Sequence, residues 1–230
     1  MEIAVTLVPY GTHEVRNAYL VSGSDAVMVV DPGNTVGADK ILQTLRDKNI
    51  SVSMVDIIVV QSAHCSNVSG LKRLSEEGVK ATVIVNTSMP EHFEGLTVKS
   101  LDEINYEFKS EDGLEFMFYP APFLPFPDSF ATYVSNKGIL FSSHLFSQVK
   151  TDTKNGDIED ALVYYHESTM PSSDFLKPVI KELKALDIRS INPLIGRRLN
   201  GNRVHRIMTR LSGLEFYNNH NVVSRRKKYN

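Results

Sequence analysis

The chain reads Ile57-Ile58-Val59-Val60-Gln61-Ser62-Ala63-His64-Cys65-Ser66-Asn67-Val68-Ser69-Gly70 near its first quarter. A short, continuous apolar run that ends in small and polar residues is typical of a strand buried on both faces of a sheet. We therefore predict a strand over 56–60, a loop over 61–69 and a short helix over about 70–77. The rest of the chain supplies the strands and helices around this unit.

The surrounding elements form two strand-rich halves, each followed by helices. Apolar runs and alternation predict strands over 3–8, 16–22, 26–30, 81–85, 115–119, 132–134, 139–142 and 188–191. Helical spacing of apolar residues predicts helices over 37–48, 157–167, 173–186 and 202–212. This order predicts an α+β fold, an αββα sandwich in which two mixed sheets pack face to face with helices outside.

Length and composition indicate one globular domain. The chain has 230 residues, of which 42% are hydrophobic, and a single cysteine, Cys65, so no intrachain disulfide can form. No apolar run approaches the ~18–20 residues of a membrane-spanning helix, and the N-terminus has no signal-peptide pattern. We expect a cytoplasmic protein with a domain over 1–200, a C-terminal helix within 201–223 and a basic, flexible tail over 224–230.

Charge is distributed unevenly along the chain. From Arg197 onward there are nine basic residues and one acidic residue, a net charge of +8, which leaves −10 for residues 1–196. On a helix that starts at 202, three arginines share one face, and two more precede it in a loop. These ligand-binding candidates are Arg197, Arg198, Arg203, Arg206 and Arg210. Guanidinium groups suit a phosphorylated small molecule, such as a nucleotide, or an acidic protein partner, whereas an exposed, solvated helix face is the plain alternative.

Three further stretches carry the pattern of a known family. Residues 17–33 contain Asn-Ala-Tyr-Leu-Val and Val-Val-Asp-Pro-Gly, and residues 191–196 read Ile-Asn-Pro-Leu-Ile-Gly. Residues 119–148 contain Tyr-Pro-Ala-Pro-Phe-Leu-Pro-Phe-Pro-Asp-Ser and Ile-Leu-Phe-Ser-Ser-His. These stretches resemble the metallo-β-lactamase superfamily, and within it the flavodiiron and oxygen-binding di-iron proteins. The resemblance implies a homodimer with its pocket near the subunit interface.

The resemblance also implies that the metal ligands are lost. The family has Thr-His-x-His-x-Asp-His-x-Gly where this chain has residues 62–70, with Ser62 and Gly70 as anchors. Carried over position by position, the degenerate ligand positions are Ala63, Cys65, Asn67, Val68, Pro125, His144 and Ile195. Ala, Val, Pro and Ile have no side-chain donor atom, so we expect no di-iron centre. The chain has no room for a flavodoxin-sized module, so FMN is not implied.

The residues that remain leave three hypotheses open. The first is a pseudoenzyme of this fold, metal-free and non-catalytic, that acts in signalling as a ligand-binding or scaffolding protein. The second is an oxygen or nitric oxide sensor, or an oxidoreductase, with a remodelled iron or zinc site on His64, Cys65 and His144. The third is a purely structural assembly subunit that uses its acidic body and basic tail. The acidic body does not favour nucleic acid.

Overall fold

The computed structural model describes residues 3–11, 15–23, 26–62, 65–86, 93–110, 113–149 and 158–218, without the side chains of 65–67. Two six-stranded sheets pack face to face. The first sheet has the strand order β1-β2-β3-β4-β5-β6. Its strands are β1 (Ala4–Tyr10), β2 (Arg16–Ser22), β3 (Val27–Val30), β4 (Val55–Val59), β5 (Ala81–Val85) and β6 (Leu96–Ser100). The pairs β1/β2 and β2/β3 are antiparallel, and the pairs from β3 to β6 are parallel.

The second sheet comes from the second half of the chain and has the order β12-β11-β10-β9-β8-β7. Its strands are β7 (Glu107–Lys109), β8 (Glu115–Pro120), β9 (Phe130–Val134), β10 (Ile139–Phe141), β11 (Ser190–Asn192) and β12 (Leu199–Asn200). Only β10 and β11 pair in parallel. Both sheets are therefore mixed, as the sequence predicted.

Five helices cover the outer faces. They are α1 (Thr35–Asp47), α2 (Cys65–Glu76), α3 (Ile158–Thr169), α4 (Ser173–Leu183) and α5 (Asn202–Ser212). Asn34 caps α1, because its side chain accepts a hydrogen bond from the Gly37 amide. On α5, Val204, Ile207, Met208 and Leu211 are buried against the domain.

Three apolar clusters fill the spaces between the four layers. One lies between the first sheet and its helices, and includes Leu42 of α1 and Leu71 of α2. A second lies between the two sheets, and includes Met28 and Phe118. The third lies between the second sheet and α3, α4 and α5. This order of layers is the αββα sandwich expected from the sequence.

Several boundaries differ from the prediction. Helix α2 begins at Cys65, so the loop predicted over 61–69 is wrong beyond its first residues. The strands β6, β7 and β12 were not predicted. For β7 and β12 the reason is length, because three and two residues give too short a pattern. Within the described residues, none of the helices has the length and apolar character needed to cross a bilayer. The tail over 224–230 lies outside the described residues.

Candidate functional site

Among the degenerate ligand positions, Cys65, Asn67 and Val68 lie at the start of α2, which follows β4, and Pro125, His144 and Ile195 lie in the loops after β8, β10 and β11. Of the seven, the structure describes the side chains of Val68, Pro125, His144 and Ile195. Ala63 and His64 are outside the described residues, and so are the side chains of Cys65 and Asn67. The described positions therefore lie in segments that follow strands of both sheets.

His144 is the one described position with a side-chain donor atom. Its ring is buried, and its Nδ1 lies 2.6 Å from the hydroxyl oxygen of Tyr165 on α3. The Phe126 ring packs edge-on against the imidazole, with centroids 5.3 Å apart. An aromatic ring and a phenol thus occupy two sides of the imidazole.

Ile195, which the resemblance assigns to a ligand position, has a side chain in the core. It is 5% exposed and belongs to the cluster between the second sheet and its helices. Its amide donates to Ser147 Oγ at 3.2 Å, and its carbonyl accepts from the Gln148 amide at 3.0 Å. The side chain of Asn17 fixes the same loop, because its Nδ2 donates to Pro193 O and to Gly196 O.

A buried glutamine connects the two sheets at the edge of the site. Gln61 Nε2 donates to the carbonyl oxygens of Phe130 and Phe141 and to Thr132 Oγ1, at 3.3, 2.7 and 3.2 Å. Its Oε1 accepts from the Ser143 amide at 3.2 Å. The sequence analysis missed this role, although a polar residue directly after the apolar run of residues 57–60 is a signal for it.

Four residues in the loops around the site have a positive φ although they are not glycine. They are Asp31, Phe123, Ser143 and Phe146, with φ values of 51°, 63°, 50° and 63°. Such conformations cost on the order of 1–3 kcal/mol unless surrounding contacts hold them. The amides of all four donate hydrogen bonds, to Val59 O, Phe126 O, Gln61 Oε1 and His166 Nε2. The protein itself therefore holds these loops in shape.

His166 was also missed by the sequence analysis. It is fully buried, its Nδ1 donates to Leu162 O at 2.7 Å, and its Nε2 accepts from the Phe146 amide at 3.1 Å. These two bonds require a neutral ring with the proton on Nδ1. Burial lowers the pKa of His166 to about 4, which agrees with that state.

Asp31 ends β3 and lies below the same loops. Its Oδ1 accepts from the Gln61 amide at 2.9 Å, so its role is to hold the chain at the end of β4. Burial raises the pKa of Asp31 to about 7, and the hydrogen bond from Gln61 acts in the opposite direction. Asp128 also has a structural role, because Asn86 Nδ2 donates to its carbonyl oxygen at 3.0 Å and Ser62 Oγ to its Oδ1 at 3.4 Å.

The described donors do not fit a di-iron centre. Two iron ions need several oxygen and nitrogen donors that converge on one point. Among the described residues there is no group of three or more His, Cys, Asp or Glu side chains that could hold a metal ion. Val68, Pro125 and Ile195 have no donor atom to offer.

Some of the arginine candidates have a side chain that bonds to another described residue, and are called engaged; the others are called unengaged. Arg198 Nε donates to Asn192 Oδ1 at 2.6 Å, and Arg206 forms an ion pair with Glu159 of α3. Arg203 and Arg210 are exposed on the same face of α5 and, within the described part of the chain, make no ion pair. Arg197 is exposed in the loop after β11, and its amide donates to Gln148 Oε1.

Comparison with protein sequences identifies relatives of the chain. The family model described as "ODP family beta lactamase" matches residues 15–196. The anaerobic nitric oxide reductase flavorubredoxin of Vibrio vulnificus (strain YJ016) is 25% identical over a 190-residue alignment that covers 75% of this chain and 37% of that protein. The chain thus spans little more than a third of the length of this curated relative.

Solved structures share the fold at lower identity. The apo state of the chemotaxis sensor ODP from T. denticola has a TM-score of 0.72 at 19% identity, and the match covers 94% of this chain and 97% of that one. The flavodiiron protein from Giardia intestinalis has a TM-score of 0.75 at 19% identity, over 92% of this chain and 58% of that one. The fold is therefore that of the metallo-β-lactamase-like core of flavodiiron proteins. Since the family model covers most of its length, the chain belongs to the ODP family of β-lactamase-like domains.

Proposed function

We propose that this protein is a metal-free, non-catalytic member of the ODP family that acts in the cytoplasm as a regulatory, ligand-binding or scaffolding protein. The names of its relatives describe a chemotaxis sensor, flavodiiron proteins and a nitric oxide reductase. A sensory role needs a surface or pocket that binds a partner, and it does not need turnover.

The arrangement around His144 carries the proposal. The resemblance assigns His144 to a ligand position of the family, yet its Nδ1 bonds to Tyr165 and its ring packs on Phe126. At two other ligand positions, Pro125 and Ile195 supply no donor, and Ile195 is part of the core. An environment of apolar side chains without further donors is unfavourable for a dication.

The unengaged arginines support a role in binding an anion. Arg203 and Arg210 are separated by two turns on the outer face of α5, so both guanidinium groups are available to one ligand. Phosphate oxygens accept paired hydrogen bonds from guanidinium groups, which makes a phosphorylated small molecule or an acidic protein the matching ligand class. Arg206 has a partner in Glu159 and contributes less to such a site.

Elemental analysis of the untagged protein, expressed in medium with added iron and zinc, tests the metal-free assignment. We expect less than about a tenth of an equivalent of any transition metal, by the donor count above. A content of roughly one or two equivalents would overturn the proposal. A variant with family ligands restored at 63, 65, 67, 68, 125, 144 and 195 serves as the positive control, since it should gain iron if it folds.

A second candidate function is an oxygen or nitric oxide sensor or oxidoreductase with a remodelled metal site. The buried imidazole of His144 at a former ligand position favours it. The site would take His64, Cys65 and His144 as ligands for iron or zinc. Under this alternative, His144→Ala must lose bound metal, whereas Tyr165→Phe, which keeps the imidazole, must retain it.

A third candidate function is a structural assembly subunit. The +8 charge from Arg197 onward beside a −10 body supports it, since opposite charges can join copies or partners. Deletion of residues 224–230 tests this alternative: assembly measured by light scattering should fail in the truncated chain, while anion binding persists.

A further inference from the structure

The outer face of the second sheet has an open end at β7. Side chains of β7 and β8 alternate between the two faces, so Phe108 and Phe116 lie between the sheets, whereas Met117 packs on the side of the helices. The cross-strand neighbour of Met117 is Glu107, which is exposed. A cavity of about 390 Å³ lies at this place, and its lining includes Glu107, Met117 and Ser135. None of its lining residues belongs to the candidate site.

Tyr119 connects this cavity to helix α4. It follows Met117 by two residues and therefore lies on the same face of β8, where its hydroxyl donates to Met117 Sδ at 3.7 Å. Tyr119 is 9% exposed, and a thioether sulfur is a weak acceptor. Burial raises the pKa of Tyr119, and the carboxylates of Glu182 and Glu107 act in the same direction, so both carboxylates lie close to the phenol. Within the described residues, no donor reaches the phenol oxygen.

The two carboxylates beside Tyr119 leave an excess of negative charge. Lys109 Nζ donates to Glu115 Oε1 at 3.2 Å, so these two charges cancel. Glu107 and Glu182 are both exposed, and in the described part of the chain neither forms an ion pair. Lys181 precedes Glu182 in α4, but consecutive residues of a helix do not face each other. The border of the cavity thus has two carboxylates and a phenol oxygen that no described cationic side chain neutralises.

We propose that this place is a binding site for an organic cation, a guanidinium or alkylammonium group held by Glu107 and Glu182 over Tyr119 and Met117. Both groups have several N–H donors, so either can bond to the carboxylates and to the phenol oxygen together. The apolar stem of the ligand then packs on the Met117 side chain. A metal ion fits less well, because Ca²⁺ takes about six to eight oxygen ligands, and the described residues contain no group of three or more His, Cys, Asp or Glu side chains that could hold it. This inference concerns a separate surface and is independent of the proposed function.

The cation can belong to a free amine or guanidine, or to a basic side chain of a peptide. One such peptide is residues 225–228 of this chain, Arg-Arg-Lys-Lys. The described chain reaches Asn218, whose amide donates to Pro171 O just before α4. Helix α4 has 11 residues and is about 17 Å long, and the seven residues from Asn218 to Arg225 span at most roughly 25 Å. Arg225 is therefore within reach of Glu182, near the other end of α4.

The Met117 methyl group reports on the site directly. We expect agmatine, which carries one guanidinium and one ammonium group, to shift the Met117 methyl resonance of the full chain saturably, with a dissociation constant on the order of 1 mM at low salt. Met117→Leu identifies the resonance. In Glu107→Gln/Glu182→Gln the dissociation constant should rise at least roughly fivefold, because both carboxylates are lost.

A second double variant separates the site from general charge attraction. Glu76→Gln/Glu94→Gln removes two exposed carboxylates elsewhere on the surface and changes the net charge by the same amount. It should bind agmatine as the wild type does. Equal losses of affinity in the two double variants, or no shift of the Met117 resonance up to about 50 mM agmatine, would overturn the proposal.

Two further measurements identify the chemistry and the source of the cation. Butane-1,4-bis(trimethylammonium) has the charge and the four-carbon stem of agmatine but no N–H donor, so it should bind at least roughly fivefold more weakly. Equal affinity for the two compounds would overturn the assignment of a hydrogen-bonding cation. Deletion of residues 224–230 distinguishes the sources: tighter agmatine binding in the truncated chain identifies residues 225–228 as the occupant, and unchanged binding identifies a separate molecule.

Discussion

Gln61 Nε2 donates a 2.7 Å hydrogen bond to the carbonyl oxygen of Phe141, and this bond joins the end of β4 in one sheet to β10 in the other. The same amide contacts β9 through Phe130 and Thr132. Side chains rarely link two stacked sheets through polar atoms, because the space between them is apolar. Gln61 therefore holds the two halves of the sandwich in register beside the candidate site.

Replacement of Gln61 by Leu should lower the free energy of unfolding by about 2–4 kcal/mol. The substitution leaves the Phe141 carbonyl and the Ser143 amide buried without their partner. Urea denaturation measures the loss. Gln43→Leu removes an exposed glutamine bonded to Asp47 and should change stability by less than about 0.5 kcal/mol. Equal effects of the two substitutions would contradict the role assigned to Gln61.

Asp31 should make stability fall as the pH rises. Its pKa is about 7 in the folded protein and about 3.8 in the unfolded chain, so between these values the folded state holds a proton that the unfolded state has lost. The stabilisation is complete below pH 3.8 and is lost as the pH rises through 7, a change of roughly 3–4 kcal/mol. Asp31→Asn, which keeps an oxygen for the Gln61 amide, should remove this slope in denaturation series from pH 4 to 8. A parallel pH profile in the variant would show that Asp31 does not titrate in this range.

His166 should act in the opposite direction. Its pKa is about 4 when folded and about 6.5 when unfolded, so below pH 6.5 the unfolded chain binds a proton that the folded state excludes. Its contribution is intact above pH 6.5 and falls by roughly 3 kcal/mol as the pH drops to 4. Wild type should lose stability over this range relative to His166→Gln. Equal slopes in wild type and His166→Gln would show that His166 does not set this pH dependence.

Arg203 and Arg210 should account for anion binding if the ligand is phosphorylated. We expect the double variant Arg203→Ala/Arg210→Ala to raise the dissociation constant for ATP or pyrophosphate at least roughly tenfold, with little change in melting temperature. Isothermal titration calorimetry measures the affinity. Arg189→Ala is the control, because Arg189 is equally exposed but bonds to Asp187. Full affinity in the double variant would remove α5 from the binding site.

Arg206→Ala tests how much the ion pair between α5 and α3 contributes to the free energy of unfolding. The ion pair with Glu159 is partly exposed, with 62% of the Arg206 side chain and 20% of the Glu159 side chain accessible. Pairs of this kind contribute about 0–1 kcal/mol, so the variant should unfold within that margin of wild type. A larger loss in urea denaturation would mean that the pair anchors α5 to α3.

The strands and helices were predictable where an apolar pattern ran over several residues. For the candidate site, the sequence predicted positions along the chain but not the contacts between side chains and loops. Apolar runs such as 26–30 and 81–85 identified β3 and β5, because burial on both faces leaves few polar residues in a strand, here only Thr82. The start of α2 was missed because no capping residue marks it in the sequence. Gln61 and His166 were missed because their partners are backbone groups of other loops, and a side-chain-to-backbone bond leaves no spacing pattern.

The hydrogen-bonded loops with positive φ have a consequence for how this lineage could change. Where a bound ion holds the loops of a site in their conformation, loss of the ion also disrupts the loops. Each substitution of a ligand is then selected against, because it lowers the stability of the fold. Here the amides of Ser143 and Phe146 are held by Gln61 and His166, so the shape of these loops does not depend on what occupies the pocket. Ligand positions could therefore be replaced one at a time, each change neutral for folding. Gln61 and His166 are instead the residues whose replacement should disturb these loops.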